Sequence, residues 1–165
     1  MPGLKSEIAQ SSPFSSVQEE AILNLMRTTD LVQRAFQHKT RHWGLTMTQY
    51  NVLRILRGAR PDGLTCAAIG ARLLTAEPDI TRLLARLKRL RLLRQHRDPR
   101  DRRVVWTQIS DAGMSLLQSM DPVIQSLPVE LLGHMKGADL KEMIRLLEQT
   151  RQPRCQAEAQ LHECG

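Results

Sequence analysis

The feature that most constrains this chain is a change of hydrophobic period within one short stretch. Ile80, Leu83, Leu84, Leu87 and Leu90 recur at the spacing that puts apolar side chains on one face of an α-helix. Soon afterwards Val105, Thr107 and Ile109 alternate with other residues, the period of a half-buried strand. Between the two lies Asp98-Pro99, a turn signal, with Leu92 to Arg97 before it as a partner strand. The pattern predicts a helix followed at once by a β-hairpin. Off the leucine stripe lie Thr81, Arg82, Ala85, Arg86 and Arg89, so the helix buries one face and offers a basic one.

Charge falls in the same place. The formal net charge is +7, and residues 82–103 hold ten of the 24 Lys and Arg but only two of the 17 acids, Asp98 and Asp101. The other 143 residues are nearly balanced, at 14 basic and 15 acidic. A charge run is often only a solvated face. A single-sign block this dense in a small domain serves a polyanion more readily. Aromatics are 3% of the chain, so the core must be built from Leu, Ile, Val, Met and Ala.

The flanking segments fill in the architecture. Residues 1–15, Ser-rich with Pro2 and Pro13, read as a flexible arm. Ile22, Leu25, Met26, Val32 and Phe36 predict a helix over 17–42, and Leu23 and Leu31 widen its apolar surface beyond one stripe. A second helix starts after Thr46, where Thr46-Met47-Thr48-Gln49 has the form of a capping box. Thr65 suits the N-cap of a short third helix ending near Leu73, with Cys66 as a small buried side chain. Thr75 is placed to cap the basic helix, with Pro78 in its first turn. Ser110 caps a long helix that Pro122 and Pro128 should kink or divide. A last helix starts near Asp139, and a polar tail follows Pro153.

Two short helices, the second basic, then a two-stranded hairpin, make a winged helix-turn-helix in a mainly α (α+β) chain. A helix fits the DNA major groove, where arginine can pair with guanine and Thr or Ala can touch a thymine methyl. Arginine at a hairpin tip can enter a narrow minor groove. Double-stranded DNA is therefore the expected partner.

The sequence resembles the multiple-antibiotic-resistance regulator (MarR) family of bacterial transcription factors, most clearly over residues 46–113. The match is carried by Asp98-Pro99-Arg100-Asp101-Arg102-Arg103, by the strand ending Thr107-Gln108-Ile109-Ser110, and by Asp111-Ala112-Gly113. Ile80 to Leu87 looks like the family's recognition helix. Where the family's wing closes in Val-x-Leu-Thr, this chain has Thr107, Ile109 and Ser110. Where the family usually has Gly after the recognition helix, it has Arg91. That residue must either end the helix differently or accept a positive φ.

The resemblance implies a bacterial, cytoplasmic homodimer on a pseudo-palindromic operator, with the first and last helices as dimerisation helices and recognition helices about one DNA turn, roughly 34 Å, apart. The chain then reads as arm 1–15, dimerisation helix 16–44, DNA-binding region 45–113, long helix and C-terminal dimerisation helix 114–152, and tail 153–165. Arg82 and Arg86 are the expected base readers, with Asp79 and Thr81 as helpers; Arg86 serves equally well as a phosphate contact. Arg100, Arg102 and Arg103 are the wing candidates, with Asp101 either pairing one of them or serving as a turn residue. Thr65, Thr75 and Arg89 are candidates for phosphate contacts, the two threonines otherwise being caps. The resemblance also implies an effector cleft for an aromatic carboxylate or phenol. His38, His42 and Trp43, with Trp106 approaching from its strand, could line it or could simply pack a helix end.

The expected action is repression released by that effector. The alternative is a winged-helix module that docks acidic proteins without reading a palindrome. No nucleophile triad, Gly-rich phosphate loop or paired carboxylates stand out, so no enzyme and no cofactor are expected. Cys155, His162 and Cys164 match no compact metal spacing. No apolar run approaches a membrane span, and the N-terminus lacks the pattern of a secretory signal.

Overall fold

The structure, a computed structural model, describes residues 3–152. They fall into two compact units, one ending at Leu127 and the other beginning at Pro128.

The first unit opens on a helical turn, α1 (Leu4–Glu7). The arm expected over 1–15 is thus partly helical: Leu4 is buried, α1 packs on the next helix, and Glu7 pairs with Arg27 at 3.6 Å. Helix α2 (Val17–Thr40) begins at Ser16, whose Oγ accepts from the Glu19 N–H. The Glu19 carboxylate in turn accepts from the backbone and hydroxyl of Ser15, and these bonds hold its pKa below the usual glutamate value. Only Phe36 and Thr40 of α2 are buried, while Ile22, Leu25, Met26 and Leu31 are exposed. A 3-10 turn (Arg41–Trp43) ends in Gly44 at φ 65°, which glycine adopts without steric cost.

Helix α3 (Met47–Gly58) starts with the predicted capping box: Thr46 Oγ1 accepts from the Gln49 N–H, and Gln49 Oε1 accepts from the Thr46 N–H. Val52, Leu53 and Leu56 are fully buried, and Tyr50 meets Phe36 of α2 with ring centroids 5.4 Å apart. Helix α4 (Cys66–Gly70) is capped by Thr65, as expected, and buries Ile69; Cys66 is half-buried rather than buried.

The basic helix, α5 (Ile80–Arg89), starts later than predicted. Thr75 does not cap it. Residues 71–79 are loop, and the Asp79 carboxylate accepts the Arg82 N–H at 2.9 Å. The reason lies at Pro78, which disfavours helical backbone at Glu77 before it and leaves the start to the next good capping residue.

Strands β1 (Leu93–Arg97) and β2 (Val105–Ile109) pair antiparallel, with Leu93 opposite Ile109 and Arg97 opposite Val105. Leu64 adds a bridge to Thr107 on the other side of β2, which the period-2 pattern alone did not reveal. Helix α6 (Asp111–Leu132) follows Ser110, whose Oγ accepts from the Gly113 N–H. Pro122 and Pro128 do not divide it. Proline's fixed φ is helical, so each costs local hydrogen bonding without ending the helix. Leu84, Leu87, Leu93, Ile109, Leu117 and Met120 complete the core of this unit.

The second unit holds α7 (Gly137–Thr150), which starts two residues before Asp139. It buries none of its residues, and Ile144 and Leu146 are exposed. Cys155, His162 and Cys164 lie outside the described residues, as does the polar tail. Among the described residues, no helix is long and apolar enough to cross a membrane.

Candidate nucleic-acid interface

The basic face of α5 is built by the burial of its opposite face. Leu84 and Leu87 are buried at 2% and 0% exposure, which forces Arg82, Arg86 and Arg89 outward along the other side. A cleft of about 610 Å³ opens there, bringing Asp79, Arg82, Arg86 and Arg89 together with Thr46 and Thr48 at the start of α3. Thr48 is a site residue that the sequence reading missed, since only its place in the capping box was visible. Thr81 is exposed on α5 but does not line this cleft. The cap bond leaves Asp79 with one carboxylate oxygen already engaged.

Helix α5 ends on Arg91 at φ 59°. The Leu92 N–H bonds to Leu87 O at 3.1 Å and the Arg91 N–H to Lys88 O at 2.9 Å, which together make a Schellman cap. Of the two alternatives for Arg91, the structure takes positive φ, a left-handed conformation that costs a non-glycine residue about 1 kcal/mol. Ser110 holds this corner, donating its hydroxyl to Arg91 O at 2.6 Å while accepting from Gly113. A side chain at Gly113 would collide with the Leu92 carbonyl.

The hairpin tip turns around Asp98. One of its carboxylate oxygens accepts the N–H groups of Arg100 and Asp101 at 2.7 and 3.1 Å; the other accepts the Trp106 indole N–H at 2.8 Å. These bonds, the indole's first, hold the carboxyl below the usual aspartate pKa. Asp101 does not pair a guanidinium. Its Oδ1 accepts the backbone N–H of Arg103 at 2.9 Å, the turn alternative, because an adjacent backbone donor is within reach at no cost in arginine side-chain freedom. Asp98 was legible only as half of a turn signal, and its link to Trp106 depends on a cross-strand placement the sequence does not print.

Arg100, Arg102 and Arg103 are all exposed. So are the other seven basic residues of the 82–103 stretch, and among the described residues none of the ten is paired with a carboxylate. Ten uncompensated cations on a helix and the hairpin after it make a surface suited to a polyanion.

The MarR family model matches residues 43–104. Over 83% of its length the chain is 38% identical to the MarR transcription factor from Planctomyces limnophilus, 99% of which is covered, with a TM-score of 0.64. The chain belongs to the MarR family. It is also 31% identical over 158 residues to the HTH-type transcriptional regulator TtmR of Methylorubrum extorquens, spanning 88% of this chain and 77% of that one. BpsR of Bordetella bronchiseptica, whose DNA binding is regulated by 6-hydroxynicotinic acid, shares the fold at 23% identity and a TM-score of 0.73, over 84% of this chain and 97% of its own.

In this MarR-family transcriptional regulator, the residues expected to line an effector cleft do not form one group. His42 lies against Trp43, with ring centroids 3.5 Å apart, and the Trp43 indole N–H donates to Ser119 Oγ of α6 at 3.0 Å. His38 is exposed on α2. Trp106 is elsewhere, on the hairpin with His96, Asp98, Gln108, Pro61 and Asp62, because cross-strand pairing puts it opposite His96. A separate cleft of about 170 Å³ lies beside α2 and α3, lined by Gln33, Gln37, Met47, Asn51, Leu74 and Thr75 among others. Thr75 thus belongs to that cleft rather than to a helix cap, and Asn51 Oδ1 accepts the neighbouring Leu74 N–H. Thr65 keeps its capping role, with its Oγ1 accepting the Ala68 N–H at 3.3 Å.

Proposed function

We propose that this regulator represses transcription as a homodimer bound to a pseudo-palindromic operator, and that a small aromatic acid or phenol releases it. The observation that carries the reading is the set of ten exposed, unpaired cations on α5 and the hairpin. Arg82 and Arg86, aided by Thr81 and by the free oxygen of Asp79, read base edges in the major groove. Arg100, Arg102 and Arg103 enter the adjacent minor groove, with Asp101 shaping their turn. Arg89, the backbone at Thr65 and the loop at Thr75 hold phosphates and set the register.

Residues 45–113 act as the DNA-binding region, and the exposed apolar residues of α2 and of α7 supply the surfaces that a second copy covers. Residues 16–44 and 114–152 are then the dimerisation segments, with 1–15 as a pinned arm and 153–165 as a tail. The effector acts where α2 meets the DNA-binding region, at His38, His42 and Trp43 or in the cleft at Gln33 and Asn51. The action of 6-hydroxynicotinic acid on BpsR supports an aromatic acid as the class. Both recognition helices must dock together, so a small change in their separation costs much of the affinity.

A gel shift tests this with the DNA upstream of the protein's own gene against a scrambled duplex. Tight binding to the first, lost in Arg82→Ala and kept in Lys141→Ala, is expected. Equal binding to both duplexes, or none, rejects sequence-specific regulation and favours a protein-docking module.

A further inference from the structure

Asp98 is surrounded by guanidinium groups in sequence, yet among the described residues it forms no ion pair. Five arginines, Arg94, Arg97, Arg100, Arg102 and Arg103, lie within five residues of it, each a potential ion-pair partner. Three of its four acceptor positions are taken instead by N–H donors, from Arg100, Asp101 and the Trp106 indole. The Asp98 N–H donates to Val104 O at 2.9 Å, carrying the ladder one rung beyond Arg97 and Val105. Arg97 is held as well, its Nη1 donating to Arg102 O at 3.1 Å. The tip is therefore locked through a carboxylate just past β1 and an indole on β2, with no guanidinium engaged by that carboxylate.

We propose that Asp98 and Trp106 form a latch that positions the wing arginines, with Asp98 as a positioning residue that itself touches no DNA. The latch has two consequences. It fixes the backbone from residue 98 to 104, so that Arg100, Arg102 and Arg103 leave the turn in set directions. It also keeps the local carboxylate from pairing with them, so that their charge stays available to an external anion. Charge-assisted bonds from backbone and indole donors suit this, being short and directional. The DNA half of the inference rests on the operator reading above; the ordering of the tip does not.

The test has two arms. Without DNA, brief trypsin treatment cuts after arginines in mobile backbone. Asp98→Asn and Trp106→Phe should each speed cleavage at Arg100, Arg102 and Arg103 by roughly tenfold to a hundredfold, the equilibrium worth of one charge-assisted hydrogen bond. Cleavage elsewhere should not change, which separates a loosened tip from a misfolded chain. With operator DNA, each variant should weaken binding by roughly fivefold or more, and the double variant no further than the worse single one, as for one shared interaction. Tip cleavage at the parent rate in both variants, or losses of affinity that multiply, would overturn the latch. If the tip loosens but the parent protein binds no operator, the operator reading fails and the ordering role alone stands.

Discussion

At the scale of single residues, two positions at and beside the hairpin carry consequences out of proportion to their size. Gly113 packs against the Leu92 carbonyl so closely that a methyl group there must displace backbone. Gly113→Ala should therefore lower stability by about 1–3 kcal/mol, the usual cost of overpacking, as read from urea unfolding. Asp98 has a carboxyl pKa held below its ordinary 3.8 in the folded chain. Its bonds contribute in full above pH 3.8, and that contribution is lost as the pH falls from there through the lower folded value. In a Trp43→Phe background, Trp106 fluorescence should hold steady from neutral pH down to about pH 4 and change below it. An emission that stays unchanged below pH 4 would contradict the assignment of the indole to Asp98.

At the scale of elements, the ends of α5 show what local chemistry decides. Arg91 occupies a left-handed position that the Schellman cap requires. Arg91→Gly removes the strain but adds freedom to the unfolded chain, so a gain of a few tenths to about 1 kcal/mol is expected, seen as a higher Tm. The helix and the hairpin were legible because their periods differ and because leucines on one face leave arginines no choice but the other. The start of α5 was not legible. Thr75 read as the cap and Asp79 only as a helper in base reading, and only the path of residues 71–79 shows that Asp79 caps the helix. Pro122 and Pro128 left kinking and dividing as alternatives, and the continuous helix excludes only division; Met120 and Leu127 are buried alongside them. The Leu64–Thr107 bridge was invisible because one rung leaves no period.

At the scale of the whole molecule, the candidate site was legible where it depends on side chains projecting from one element, and illegible where it depends on elements meeting. Arg82, Arg86 and the wing arginines were named from sequence. Thr48 beside them, and the separation of Trp106 from Trp43, emerge only when helices and strands are placed. Much of the apolar surface of α2 is left uncovered: Ile22 and Met26 are 60% and 63% exposed. Leu25→Glu with Met26→Glu should turn a dimer into a monomer by light scattering. It should also weaken operator binding by at least about a hundredfold, since two tethered lobes gain that much from effective concentration.

The most direct measurement of the central claim is the dissociation constant for operator DNA as a function of salt. Each phosphate neutralised contributes a slope of about −0.9 to log affinity against log salt. If the exposed arginines of α5 and the hairpin face the duplex, the slope is roughly −5 or steeper, and Arg89→Ala, which removes one phosphate contact from each protomer of a dimer, makes it shallower by about two. A slope near zero, or one unchanged in Arg89→Ala, would mean that the basic face of α5 does not meet the DNA backbone.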